Sequence, residues 1–399
     1  MGNVFTVCFS GTSCTRDEGE VSRPGSDKDI YDPATGYIPV RIHKELTGSL
    51  TATSPSVTVR GVGENDWAVP RNNSEPLVLD GPLRAPADLL KDAKPYSGGD
   101  QRSRVSALSG WDAAALALHA ANLAARSGAK AFNFIGHSRG AVECVMAAWF
   151  LQAYGSPEVQ AVPVRILAID PVPGPGNWYG ILTQLPPNVV EYVGVTAWDM
   201  LDTGFDGVVP RPNAKMAGTS QTLKLGTGSW TKLADNYQLT DPLAPAKSGM
   251  GQPTGYRLFA CRGRHATVAG NMTSNGEYNA ADVNASAARV PELVYRLARA
   301  YLTSWGSEFK VKSGVDTYSL PLRQQINLDQ AVFDNMAGGP LRDSVRPGRP
   351  YVRQVSSISG RNPFNTYYLE DVVGDPPYRQ PYPVTAARTG AGWVDWTFL

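Results

Sequence analysis

The twenty residues FNFIGHSRGAVECVMAAWFL, 132 to 151, restrict this chain more than any other stretch. A β-rich apolar run ends at Gly136, an apolar run of helical length begins at Arg139, and Ser138 stands between two glycines. That pattern reads as a buried strand feeding a buried helix. The joining turn has to be too sharp for ordinary side chains. Residues two before and two after its apex approach so closely that a Cβ would clash, which accounts for Gly136 and Gly140. Ser138 at the apex is expected in a strained backbone conformation with positive φ, its hydroxyl raised at the carboxyl edge of a sheet. The Arg139 N–H opens the helix and, helped by the helix dipole, can donate to an oxyanion forming beside the hydroxyl. G-x-S-x-G occurs once in the sequence; the strand–turn–helix setting, more than the bare pattern, makes Ser138 the candidate nucleophile.

Strand-like and helix-like segments alternate around this seam. Strand patterns cover 3–10, 56–61, 131–136, 164–170, 189–199 and 255–265. Helical patterns cover 109–128, with Ser109 suited to the N-cap and Gly128 to C′, then 139–154 and 291–306. The alternation predicts an α/β fold with a mostly parallel central sheet flanked by helices on both faces. Residues 12–32 and the Pro/Asn/Gly-rich section up to Gly99 read as loops. The expected division is a catalytic domain over 1–310, with cap-like or lid-like insertions at about 171–188 and 204–254, and a loop-rich C-terminal extension over 311–399 packed on the core. In the first insertion Trp178, Tyr179, Ile181, Leu182 and Leu185 are apolar in a loop-like setting, which suits a lid or a bilayer-contacting surface.

Composition narrows the function classes. At 399 residues the chain can bury a large core, and a formal net charge of +1 without any Lys/Arg block of five gives no nucleic-acid footprint. No run reaches the roughly 20 apolar residues of a membrane span. Cys8, Cys14, Cys144 and Cys261 lack metal-ligand spacing, and Cys8 and Cys144 read as buried thiols. No metal or cofactor is expected. The N-terminus lacks the basic and apolar regions of a Sec-type signal, so synthesis in the cytoplasm is expected. Gly2 and Thr6 fit a myristoylation pattern but lead straight into strand-like sequence.

A serine nucleophile needs a general base with a near-neutral pKa. Of the four histidines, His137 adjoins the nucleophile on the sharp turn, so its ring points away from the hydroxyl. His119 falls between Leu116 and Leu123 on a helical pattern and reads as half-buried core, and His43 sits upstream in a polar, strand-like segment. His265, in CRGRHATVAGN directly after a strand and downstream of Ser138, is the candidate base. The orienting acid stays open. Asp170 ends the strand RILAID, next after the nucleophile's helix, whereas Asp199 and Asp202 in TAWDMLDTGFDG end the strand after it.

These residues resemble the α/β-hydrolase family that includes type VI secretion phospholipase effectors. Its elbow reads G-x-S-R-G-A, and GHSRGA here supplies Arg139 and Ala141. FSGTS is similar to the family's D-G-T loop with Ser10 in place of Asp, RGVGEND to its G-V-G-T turn, and AIDPVPG to its strand-end D-T-V. GRHATVAG resembles G-x-H-S-D-V-G-G with Thr267 in place of the second Asp. The matches occur in the family's order over residues 4 to 270. The resemblance implies an α/β-hydrolase fold and a serine lipase with Ser138, His265 and, by the strand-end match, Asp170, and it puts a second oxyanion donor on the Gly11–Thr12 backbone. It further implies a phospholipid substrate, transient contact with a membrane surface, and secretion into a rival cell on a spike component of a contractile apparatus. A cognate immunity protein in the producer belongs to the same picture.

Overall fold

The computed structural model describes residues 3–22, 28–69, 74–199, 205–212, 229–235, 241–245, 251–311, 319–337, 353–357, 365–373, 388–389 and 394–399. Among these, eleven strands are formed: β1 (Val4–Phe9), β2 (Ser56–Val59), β3 (Ala131–His137), β4 (Val164–Ile169), β5 (Val189–Ala197), β6 (Gly207–Val208), β7 (Tyr256–Cys261), β8 (Gln354–Ser357), β9 (Asn365–Tyr368), β10 (Arg388–Thr389) and β11 (Asp395–Phe398). Eight make one sheet in the order β10-β11-β7-β5-β4-β3-β1-β2. All neighbours run parallel except the β10–β11 pair at one edge. The expected mostly parallel α/β architecture is therefore present. β6, β8 and β9 form a second, three-stranded sheet.

The two faces of the main sheet divide its residues with period two, as a pleat requires. Phe132 and Phe134 of β3, with Val164, Ile166 and Ala168 of β4, enter one core cluster. Ile135, Leu167 and Ile169 enter the other. Helix α1 (Ile38–Thr47) lies on the second face, and α2 (Ala87–Ala93) belongs to the first. After α3 (Arg104–Ser109), helices α4 (Ala113–Arg126) and α5 (Arg139–Tyr154) cover the first face. The short α6 (Pro157–Gln160) leads to β4, and α7 (Arg289–Ser304) joins α1 on the second face. In α5 every residue from Arg139 to Leu151 is buried, so its sequence is apolar nearly all round instead of striped.

Three sequence expectations are corrected. His43 lies on α1, not in a strand-like segment. Ile38, Val40 and Ile42 alternate as in a strand, yet all three are buried by a helix that begins with Pro39 in its first turn. Ser109 does not cap the long helix: it ends α3, Gly110 turns at φ 73°, and α4 starts after Asp112. In segment 171–188, Ile181, Leu182 and Leu185 are fully buried against α5 and the Gln184 carbonyl accepts from Trp149 Nε1 at 2.7 Å. Its apolar residues read as exposable because no helical or strand period marks them as core. The C-terminal extension contributes strand as well as loop: β11 continues the main sheet and buries Trp396. Four residues of strand are too few for a period to show in sequence. The second cap-like insertion, 204–254, is described only in part.

Chain order places the site. β2 lies on one side of β1 and β3 on the other, so the connections diverge at the β1/β3 boundary. In open parallel sheets the crevice at the strands' carboxyl ends beside such a reversal is where ligands bind. Ser10–Thr12 follow β1, Ser138 follows β3, Asp170 follows β4, and His265 follows β7 at that same edge.

Candidate active site

Ser138 has φ 59° and ψ −127° between β3 and α5. A Cβ on Gly136 would stand 2.4 Å from the Gly140 carbonyl, and one on Gly140 would stand 2.5 Å from the Ser10 carbonyl. Both glycines are thus required by backbone crowding, one against the helix start and one against the loop after β1. The Ser138 N–H donates to the Ile169 carbonyl at 3.0 Å, which ties the turn to the end of β4. Among the described residues only Ser13, Ser138 and Asp170 combine a side chain with positive φ. Ser13 and Ser138 line one cavity, and Asp170 bonds to a third wall residue, so the backbone strain is gathered around one site.

The cavity holds about 570 Å3 and is walled by Thr12, Ser138, His265, Leu108, Phe205 and Tyr278, among others. His265 Nδ1 is 2.7 Å from Asp170 Oδ2. A carboxylate only accepts, so Nδ1 carries the proton and Nε2 is the basic nitrogen of the neutral ring. Asp170 is fully buried. Burial by itself would raise its pKa, but the Arg353 guanidinium, the His265 hydrogen bond and the Ala197 N–H hold it below the usual carboxylate value. Arg353 Nη2 donates to Oδ1 at 2.7 Å and Ala197 N–H to the same oxygen at 3.0 Å.

Asp199, the other described candidate acid, does different work. Its Oδ2 accepts from Gly263 N–H at 2.7 Å and from Arg262 Nε at 2.9 Å, bracing the loop that carries His265. Asp202 lies outside the described residues.

His137 turns its ring away from the serine side and into a relay. Gly11 N–H donates to the Tyr37 oxygen at 2.7 Å, Tyr37 Oη pairs with His137 Nδ1 at 3.0 Å, and His137 Nε2 pairs with the His265 carbonyl at 3.0 Å. A carbonyl only accepts, so His137 donates from Nε2 and receives the tyrosine proton at Nδ1. Burial, with the neighbouring His265 second, pushes His137 down to about 3, so it is neutral near pH 7. The relay links the loop after β1 to the backbone of the candidate base.

Gly11 N–H is spent on Tyr37. No hydrogen bond among the described residues engages the Thr12 amide, and the Arg139 amide is a first-turn N–H that no helix satisfies internally. The Arg139 side chain fastens these parts: Nη1 reaches Thr12 Oγ1 at 3.0 Å and the Ala107 carbonyl, Nη2 the Leu108 carbonyl at 2.6 Å, and Nε the Pro173 carbonyl at 2.7 Å. A serine hydroxyl on a strained turn, an imidazole hydrogen-bonded to a buried carboxylate, and two amides at one wall are the parts acyl transfer requires.

No protein-family model matches the chain, and no curated protein does. It is similar to a solved structure of an uncharacterized protein from Pseudomonas aeruginosa at 12% identity and TM-score 0.37, over 86% of this chain and 52% of that one. The chain thus spans about half of that protein. A likeness at that level bears on neither fold nor function.

Sequence reasoning brought Ser138, Asp170, His265, Thr12 and Arg139 forward, and all five gather at the carboxyl edge. It missed Tyr37 and Arg353. No spacing marks either one, since Tyr37 reaches its partner 100 residues on and Arg353 reaches back 183. All four cysteines are buried, and none is in a disulfide. Among the described residues no group of His, Cys, Asp and Glu is arranged to hold a metal, and no helix is long and apolar enough to cross a membrane.

Proposed function

We propose that this protein is a serine ester hydrolase of the α/β-hydrolase type, acting on the carboxylic esters of phospholipids. The observation that carries the reading is the 2.7 Å contact between His265 Nδ1 and the buried Asp170, made behind the wall of a cavity that His265 and Ser138 both line. In the proposed reaction His265 Nε2 takes the Ser138 proton as Oγ attacks the ester carbonyl. The Arg139 and Thr12 amides receive the oxyanion, where fixed donors act without reorganising. His265 then protonates the departing alcohol, and a water activated by the same nitrogen releases the fatty acid from the acyl-serine.

The lipid class is supported by the cavity mouth. Leu108 and Tyr278 of the wall are 70% and 47% exposed, and Val105 and Trp111 flank Leu108 at 55% and 58%. Single exposed apolar residues need no explanation, but two on one cavity wall with two more close by in the chain suit an apolar surface. The family resemblance adds delivery into a rival cell and an immunity partner, for which growth arrest by wild-type protein and not by Ser138→Ala is the expected observation.

The test is release of fatty acid from phosphatidylcholine and phosphatidylglycerol vesicles by wild type and Ser138→Ala in parallel, beside turnover of short soluble esters. Wild type is expected to hydrolyse vesicles, and Ser138→Ala to lose on the order of 10^6 in kcat with its melting temperature unchanged. Turnover of short esters without vesicle hydrolysis would make it a soluble-ester hydrolase. Equal turnover in the variant would remove serine chemistry altogether.

A further inference from the structure

The C-terminal segment reaches into the site through one side chain. Arg353, immediately before β8, is 2% exposed, and its Nη2 donates to Asp170 Oδ1 at 2.7 Å while Nη1 donates to the Phe205 carbonyl. The route by which it gets there is built from backbone. Val208 N–H of β6 donates to the carbonyl of Pro171, the residue after Asp170, at 2.8 Å. β8 then pairs in parallel with β6, with Val355 opposite Gly207, and β9 pairs antiparallel with β8. Leu369 N–H holds the Arg353 carbonyl at 2.9 Å. The small sheet therefore carries one buried cation to the far oxygen of the acid that orients His265.

We infer that Arg353 is a positioning residue of the catalytic machinery, which sets the proton affinity of the Asp170–His265 pair and makes the C-terminal segment part of the active site. The inference rests on reading His265 and Asp170 as base and orienting acid. Its sign follows from electrostatics. A guanidinium beside a buried carboxylate cancels part of the charge that would otherwise stabilise an imidazolium 2.7 Å away on the other oxygen. Taking the cation away leaves a buried anion less compensated, so the pair binds a proton more readily whichever partner holds it. The acidic limb of activity then moves to higher pH. With Arg353 in place the base stays unprotonated, and the enzyme active, further into mild acid.

Among the described residues, the other groups named around the pair do not supply this effect. His137, with its ring centroid 4.5 Å from that of His265, is neutral. Phe205 sets an apolar ring, tilted by 58°, with its centroid 5.0 Å from that of His265. Arg264 spends its guanidinium on the Met336 and Asn275 carbonyls, and Arg139 is committed to the carbonyls and hydroxyl described above. Asp206 is half-buried and its carboxyl is raised, because burial outweighs the pull of Arg353. Glu277, on the cavity wall, is exposed. Ser138 carries no charge.

The experiment uses full-length protein and two independent readings. The first is the pH dependence of fluorophosphonate labelling and of kcat/KM on a short soluble ester. The second is direct titration of the His265 ring by NMR, which needs no turnover. In Arg353→Gln the acidic limb and the His265 titration are both expected to rise by about one pH unit or more, and added guanidinium ion to move them back down. Arg353→Lys, which keeps the charge, is expected to stay near wild type. Arg353→Met, an apolar side chain of similar length, serves if the Gln variant does not fold. A His265 titration unmoved in Gln and Met variants that melt like wild type overturns the inference. If wild type neither labels nor turns over, the hydrolase reading fails instead, and the NMR titration still decides whether Arg353 governs the pair.

Discussion

The two halves of the site are assembled in opposite ways. The Ser138 half is local: strand, turn and helix follow one another within β3 and α5, and the crowding that demands its glycines comes from those elements and the end of β1. The Asp170–His265 half is remote. Its two members stand 95 residues apart, the cation on the acid comes from 183 residues downstream, and the relay under the histidine starts at Tyr37. A local half can be specified by side-chain volume and backbone shape. A remote half has to be specified by buried charge and hydrogen bonds, because nothing in the chain's own path holds its members together.

That contrast predicts different failures. Removal of the nucleophile itself aside, the largest effect is expected in the remote half: Asp170→Asn keeps the shape but allows the wrong imidazole tautomer, and kcat on a short ester should fall by about 10^4. A fall of less than tenfold would mean that the carboxylate is structural. In the local half, Gly136→Ala forces a Cβ against the Gly140 carbonyl at 2.4 Å. It should lower stability by about 1–3 kcal/mol in urea unfolding, the range of an overpacked core, and cut activity by distorting the turn. Unchanged stability would show that the turn relaxes easily and that the sharpness of the bend is not imposed by crowding. The smallest effect belongs to the relay. Tyr37→Phe leaves the Gly11 N–H without its 2.7 Å partner, and kcat/KM should fall about tenfold, near the low end of what an unsatisfied buried donor costs. His265 should still titrate, since its carboxylate is untouched. A loss as large as that of Asp170→Asn would promote the relay from support to chemistry.

The same contrast explains what could be read from sequence. GHSRGA announces itself because strand period, glycine spacing and helix start fall within a few residues, and α5 begins and ends where its pattern does. His265 emerged by eliminating three other histidines, and Asp170 through its place at a strand end. Arg353 and Tyr37 leave no local trace: an arginine in a Pro- and Tyr-rich tail and a tyrosine before a helix resemble many others until the fold sets them beside their partners. The burial of the apolar residues at 171–188 went unread for a related reason. Ile181 and Leu182 are core residues held in a single turn of 3-10 helix, too short to show the periodicity by which core is recognised. Asp199 shows that a carboxylate at the right strand end can brace a loop through Gly263 and Arg262 without touching the base.

The most direct measurement is fluorophosphonate labelling of the intact protein followed by peptide mapping. One adduct per chain is expected, on Ser138, formed at a rate that follows the titration of His265 and lost in Ser138→Ala. An adduct on another residue, or none, or labelling unchanged in His265→Ala, would contradict the claim that this hydroxyl and this imidazole act together.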